Sequence, residues 1–216
     1  MVSELTKQFI AGHVAPALKT LGFKKKVEVW NRPADYGMHV IEVQSSRERV
    51  DGTVNLTLNI GVLVSEVWLT CWDKPIPDLV REENCYPRFR LGHLLAGFDP
   101  KQRDRWWKLS DTTAPEACGR EIRGYLENEC ESYFRKLTTV DAITTFVQKK
   151  ITDQLPLDRI QRAILYSISG LTRESEELLA EVARGTYWRA KAEQVSERLR
   201  RNPASSHSNH AAHRIP

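Results

Sequence analysis

His39-Val-Ile-Glu-Val-Gln-Ser-Ser-Arg47 leads through Glu48-Arg-Val-Asp-Gly-Thr53 into Val54-Asn-Leu-Thr-Leu-Asn-Ile-Gly-Val62. Two alternating runs flank Asp51-Gly52, a dipeptide that readily takes the positive φ angles of a type I′ hairpin turn. With Asp51 and Gly52 as the two turn residues, Val50 faces Thr53 and pairing continues outward. Ser46 then faces Thr57, Ser45 faces Leu58, Gln44 faces Asn59, Val43 faces Ile60 and Ile41 faces Val62. Apolar residues meet apolar ones on one face, and polar meet polar on the other. A slip of one residue would turn every side chain to the wrong face, so the register reads as well specified. Leu56, Leu58, Ile60 and Val62 form the expected inner face. Glu42, Gln44, Ser46, Thr57 and Asn59 form the outer one.

Working outward, Leu5, Phe9 or Ile10, Val14, Leu18 and Leu21 recur at helical spacing and predict a helix over 3–21, capped by Ser3 and stopped by Gly22. Pro16 is expected to kink it by removing a donor and crowding the preceding turn. Residues 23–30 read as a strand with Val27 and Val29 on one side, and 31–37 as a Pro/Gly loop. Beyond the hairpin, 67–72 is apolar and short, a strand or a helical turn. Residues 84–95 read as a strand with Phe89 and Leu91 on one face and Arg88 and Arg90 on the other. Trp106-Trp107 opens a last short strand. Thr113 as N-cap with Pro115 and Glu116 starts a helix whose stripe is Ile122, Tyr125, Leu126, Tyr133, Phe134 and Leu137. Beyond about residue 140 only helices are expected, over 141–151, 157–169, 172–184 and 187–201. Ile160, Ile164 and Ile168 would face Leu178, Leu179 and Val182 in a helical hairpin.

The fold class that results is α+β. An N-terminal helix and a further helix pack on one face of an antiparallel sheet of about four to five strands, followed by an all-helical segment. The domain reading is 1–138 for the α+β domain, 139–201 for a helical appendage and 202–216 for a disordered tail. The chain has 216 residues, enough for a substantial core, and a formal net charge of +4 that argues little for nucleic acid. Cys71, Cys85, Cys118 and Cys130 form no Cys-x-x-Cys pair and read as reduced thiols, Cys118 and Cys130 in phase with the helical stripe. No basic-then-apolar leader and no run of about 18 apolar residues occurs, so the expected setting is the cytoplasm, away from membranes. His207, His210 and His213 are evenly spaced in a tail whose composition makes the spacing incidental. No metal or cofactor is expected, since the chain has no Gly-rich phosphate loop, no His-Glu-x-x-His and no paired-Asp metal motif.

Gly22-Phe23-Lys24-Lys25 after the first helix, Gln44-Ser45-Ser46, Leu56-Thr-Leu-Asn-Ile-Gly-Val62, Cys85 with Arg88, Arg90 and Gly92, and Trp106-Trp107 occur in that order. With them, residues 4 to about 137 resemble the bacterial family catalogued as domain of unknown function 4304. Leu56 departs from it where an aromatic residue is expected. The resemblance implies an α+β domain and no established activity, and it supplies no catalytic residues. The helices after residue 140 lie outside it.

The candidate binding face is Gln44, Ser46, Thr57 and Asn59 on the hairpin with Arg88 and Arg90 on another strand. If that strand joins the sheet in phase, two guanidinium groups flank an Asn/Gln/Ser row suited to a carboxylate, a phosphate or a partner's acidic side chains. The bland alternative is a solvated sheet face with cross-strand polar pairs. The expected function is therefore a non-catalytic binding or accessory module that takes another protein, with an immunity-like protein capping a toxin as one form by analogy. The C-terminal helices would add a second contact surface or a homodimer interface. A nucleic-acid or phosphate-ligand role would use Lys24 to Lys26, Arg47, Arg49, Arg88 and Arg90. A hydrolase-type enzyme is the third reading. For it, His39 with Glu42 or Asp35 offers a general base without a nucleophile, and Cys85 and His93 stand too far apart on one strand to pair.

Overall fold

A computed structural model describes residues 4–46, 52–99, 101, 104–110, 115–151, 155–185 and 187–201. The fold is α+β. Among the described residues six strands form one antiparallel sheet: β1 (Lys24–Lys26), β2 (Val29–Ala34), β3 (Gly37–Ser45), β4 (Val54–Val64), β5 (Arg88–Arg90) and β6 (Trp107–Leu109). The order is β1-β2-β3-β4-β5, and β6 also pairs with β4. Strands beyond the expected four to five arise because the run read as one strand over 23–30 splits in two. Val27 takes a left-handed φ of 62° there and the chain reverses. The supposed loop at 31–34 is the second half of β2. Pro33 is tolerated in it because β1 reaches only as far as Asn31, so Pro33 has no neighbour there to donate to.

The central hairpin forms, but its register differs by two residues from the expected one. Gln44 faces Thr57, Glu42 faces Asn59, Val43 faces Leu58, Ile41 faces Ile60 and Ser45 faces Leu56. Ser46 meets Asn55, its N–H donating to the Asn55 carbonyl over 2.7 Å. A shift of two leaves every side chain on its expected face, because the pleat repeats every two residues. The turn is thus not the two-residue one centred on Asp51-Gly52. Residues 47–51 lie outside the described residues, while Gly52 does take a positive φ of 73°.

The helices form where the periodicity predicts them, with internal detail it does not. Helix α1 is made of Glu4–Phe9, a π-helical turn Ile10–Val14 and Ala15–Thr20. The break expected at Pro16 takes the form of that wide turn, in which the Ala15 N–H reaches back five residues to the Ile10 carbonyl. Residues 67–72 belong to helix α2 (Ser65–Trp72), not to a strand. The strand read over 84–95 is in fact three residues of β5 followed by helix α3 (Leu91–Leu95). Beyond β5 a Cβ at Gly92 would stand 2.5 Å from the Arg105 backbone nitrogen, so another stretch of chain occupies that space. Helix α4 comprises Pro115–Tyr125, a second π-helical turn Leu126–Cys130 and Glu131–Lys136. Helices α5 (Val140–Lys150), α6 (Pro156–Ile168), α7 (Thr172–Arg184) and α8 (Arg189–Arg201) follow. Ser3, Thr113 and the tail at 202–216 lie outside the described residues.

Two compact units result. The first comprises Met1–Leu69 and Asp73–Thr152; the second comprises Thr70–Trp72 and Asp153–Pro216. Helix α5 clusters with the sheet, since Phe146 packs on Phe89, Phe98 and Tyr133. The first unit therefore runs past residue 138. Its inner core joins Ile41, Leu56, Leu58 and Ile60 of the sheet to Ile10, Val14, Leu18, Ile122, Leu126 and Phe134 of α1 and α4, all buried. In the second unit α6 and α7 form a hairpin in which Ile160, Ile164, Leu179 and Val182 are buried and Arg159 pairs with Glu181 at 2.5 Å.

The outer sheet face is not polar throughout. Val29, Val40 and Leu63 form a second small core with Val80 and Cys85, flanked by Met38, Trp68, Ile76 and Leu79. Asn31 clamps this covering segment by donating to the Val80 carbonyl (2.8 Å) and accepting the Val80 N–H (3.2 Å). Gly61 lets it seat, because a Cβ there would stand 2.7 Å from both Cβ and Sγ of Cys85. Gly61→Ala is expected to cost about 1–3 kcal/mol by overpacking, read as a lower melting temperature in differential scanning calorimetry. An unchanged melt would mean that the segment around Cys85 does not sit on the sheet as described.

Candidate functional site

The open part of the outer face spans β3, β4 and β5. Glu42, Asn59 and Arg90 lie in one row across the strands, with Gln44 and Thr57 in the next. Gln44 and Asn59 are diagonal neighbours, and their amides still meet, Asn59 Nδ2 donating to Gln44 Oε1 over 3.2 Å. Ser46 closes the hairpin end, its Oγ accepting the Asn55 N–H at 3.0 Å. Thr57 is fully buried and donates to the Arg105 carbonyl over 2.9 Å, so it lies under the chain, away from solvent.

Both arginines named from the sequence share this face, and each lies against a carboxylate. Arg88 Nη1 is 3.8 Å from Glu82, and Arg90 pairs closely with Asp104. Arg81 pairs closely with Glu42, whose second oxygen accepts the Glu82 N–H at 3.1 Å. Burial pushes the Glu82 carboxyl above its ordinary value, with Arg88 opposing and Glu42 adding to the rise. The Arg90 guanidinium stands 5.1 Å from the Trp106 ring centroid, and Trp106 Nε1 donates to Asp104 Oδ2 over 3.1 Å. Trp106 remains 38% exposed. The indole is thus held from two sides while still open to solvent. Nothing in the local sequence pattern distinguishes Trp106 from Trp107, which begins β6 and is buried.

On the inner face lies a polar network that the sequence reading did not assemble. Arg32 on β2 donates to the Leu21 carbonyl (2.9 Å), to Glu131 of α4 (2.7 Å) and to His39 Nδ1 (3.2 Å from Nε, 3.1 Å from Nη2). Its guanidinium carbon lies 4.6 Å from the Phe23 ring centroid and 5.4 Å from that of Phe134. An arginine can only donate, so His39 Nδ1 must accept and the neutral ring carries its proton on Nε2. Nε2 then donates to the Tyr36 hydroxyl at 2.5 Å. The imidazole also stacks on Phe134, centroids 4.2 Å apart. Burial, assisted by the Arg32 charge and opposed by Glu131, pushes His39 down to about 4, and burial pushes the Tyr36 phenol up. Burial pushes the Glu131 carboxyl up too, but the bonds and charges of Arg32 and Arg135 outweigh it and hold it below the usual range.

The pairings considered for catalysis are rearranged by the fold. His39 points to the inner face and Glu42 to the outer, so the two do not meet; His39 has Arg32 and Tyr36 instead. Burial pushes the thiols of Cys71 and Cys118 up to about 11 and those of Cys85 and Cys130 up as well. They are poor nucleophiles, since the thiolate is the reactive form. Among the described residues no group of three or more His, Cys, Asp or Glu side chains is placed to hold a metal, and no helix is long and apolar enough to cross a membrane.

The family model described as "Domain of unknown function (DUF4304)" matches residues 14–136. No curated protein and no solved structure matches the chain. The matched span ends with α4, so it takes in the whole sheet, both polar clusters and Trp106, and leaves out helices α5 to α8.

Two outcomes follow from the inner network. Arg32→Met leaves Glu131 with Arg135 alone and takes the donor from His39 Nδ1 and the Leu21 carbonyl; it is expected to destabilise the domain by about 1–3 kcal/mol, measured by urea denaturation at neutral pH, and no loss would mean the network is idle. His39 has a folded value below its unfolded one, so the unfolded chain binds the extra proton. Stability from this group is present above pH 6.5 and is lost as the pH falls toward 4, by up to about 3 kcal/mol. His39→Asn should flatten that part of the stability–pH curve relative to the unaltered protein; parallel curves would contradict the assignment.

Proposed function

The chain belongs to the DUF4304 family, and we propose that its family domain is a non-catalytic module that binds a protein partner on the open part of the outer sheet face. The observation that carries this is Trp106, partly exposed, stacked by Arg90 and hydrogen-bonded to Asp104. A fixed aromatic side chain loses little conformational freedom on binding, and Trp and Arg dominate interface energetics. The exposed Gln44 amide and its bond to Asn59 add directional groups beside it. Raised thiols and a histidine occupied at both ring nitrogens favour binding over catalysis. Four free thiols fit a partner met in the cytoplasm.

A nucleic-acid or phosphate role draws less support. Arg88 and Arg90 already face carboxylates, so a phosphate would have to displace Glu82 and Asp104. The exposed Lys24, Lys25 and Lys26 lie on β1, at the opposite edge of the sheet.

Affinity capture from the native host with the full chain tests the reading. Trp106→Ala and Arg90→Ala should each weaken the captured protein at least about tenfold, with Lys149→Ala on α5 as an unaffected control and melting curves confirming the fold. Equal capture by all variants sinks the proposal. Salt-sensitive retention on DNA or heparin that survives Trp106→Ala, without a captured protein, would favour the nucleic-acid reading instead.

A further inference from the structure

At the β6 edge of the inner face, Glu121 of α4 gathers three donors. Arg105 Nη2 and the Tyr125 hydroxyl (3.1 Å) donate to Oε1, and Trp107 Nε1 donates to Oε2 over 3.1 Å. The Arg105 guanidinium carbon lies 5.5 Å from the Trp107 ring centroid and 5.6 Å from that of Tyr125. The two rings stand 6.3 Å apart and are inclined at 50°. Two aromatic rings and one carboxylate around a single cation make the chemistry that selects a planar guanidinium, which can stack and hydrogen-bond at once.

The resident cation is partly open to solvent. The Arg105 side chain is 45% exposed and that of Glu121 33% exposed, so the ion pair is screened by solvent. The Arg105 backbone is anchored separately, its carbonyl accepting from the buried Thr57. The side chain is therefore free to swing out without moving the strand that carries Trp107. The carboxylate keeps its two other donors when it does, so the receptor stays formed.

We propose that Trp107, Tyr125 and Glu121 form a binding site for the guanidinium group of a partner's arginine, with Arg105 as the internal occupant that the ligand displaces. The site lies on the other side of the sheet from the Trp106 face and stands independently of that reading.

The test uses the full chain and two probes, methylguanidinium and the peptide acetyl-Gly-Arg-Gly-amide, followed through the Trp107 indole N–H resonance, itself assigned by its loss in Trp107→Phe. Arg105→Ala should give a saturable shift with both probes, at least tenfold tighter than in the unaltered protein, where Arg105 competes. Adding Glu121→Gln to Arg105→Ala should weaken binding at least tenfold, and a control peptide, acetyl-Gly-Lys-Gly-amide, should bind less well than the Arg peptide. A folded Arg105→Ala protein with no saturable shift overturns the proposal. So does equal affinity with and without Arg105, or with and without the Glu121 carboxylate. Should Arg105→Ala unfold, Arg105→Gln retains the side-chain stem and is read by the same outcomes.

Discussion

The first unit depends on one largely covered cation, Arg32. Desolvating a guanidinium is unfavourable unless each of its donors finds a partner. Arg32 finds them on three separate elements: the Leu21 carbonyl at the end of α1, Glu131 on α4 and His39 on β3. Phe23 and Phe134 cover its faces. Sheet and helices are therefore held in the one arrangement that leaves none of these groups unpaired. His39 follows from the same constraint. Its Nδ1 is committed to Arg32, so its proton sits on Nε2 and the Tyr36 hydroxyl is drawn in.

The outer face handles charge differently. Its ion pairs, Arg81 with Glu42 and Arg90 with Asp104, are partly exposed and contribute little to stability by themselves. They fix direction. Asp104 holds both Arg90 and the Trp106 indole, and Glu42 holds the backbone of the segment that covers Val40 and Leu63. That segment divides the face into a dry half and an open half. Gln44, Asn59, Arg90 and Trp106 lie in the open half.

The legible parts of the fold were those with a local period. Alternation in β3 and β4 placed Val43 and Ile60 inside and Gln44 and Asn59 outside, and these assignments hold because a two-residue shift preserves them. Alternation does not fix the register itself, because a shift of two residues leaves both faces unchanged. The candidate site was legible to the same extent. Arg88 and Arg90 do share the outer face with Gln44 and Asn59. Thr57 alternates like a solvated residue yet is buried, because Arg105, 48 positions away in the chain, passes over it. Residues 67–72 and 84–95 were ambiguous for a related reason: a short apolar run suits a strand or a helix equally until its neighbours are known.

What the sequence by itself determined is the α+β class, the two faces of the hairpin, the positions of the main helices and the family to which residues 14–136 belong. Each rests on periodicity or on short ordered motifs, which are properties of neighbouring residues. Only the tertiary structure decided which partner each charged or ring side chain meets. Arg32 pairs with a glutamate 99 positions away, and Arg105 with one 16 positions away between two aromatic rings. Such contacts arise when separate elements pack, and no local pattern carries them.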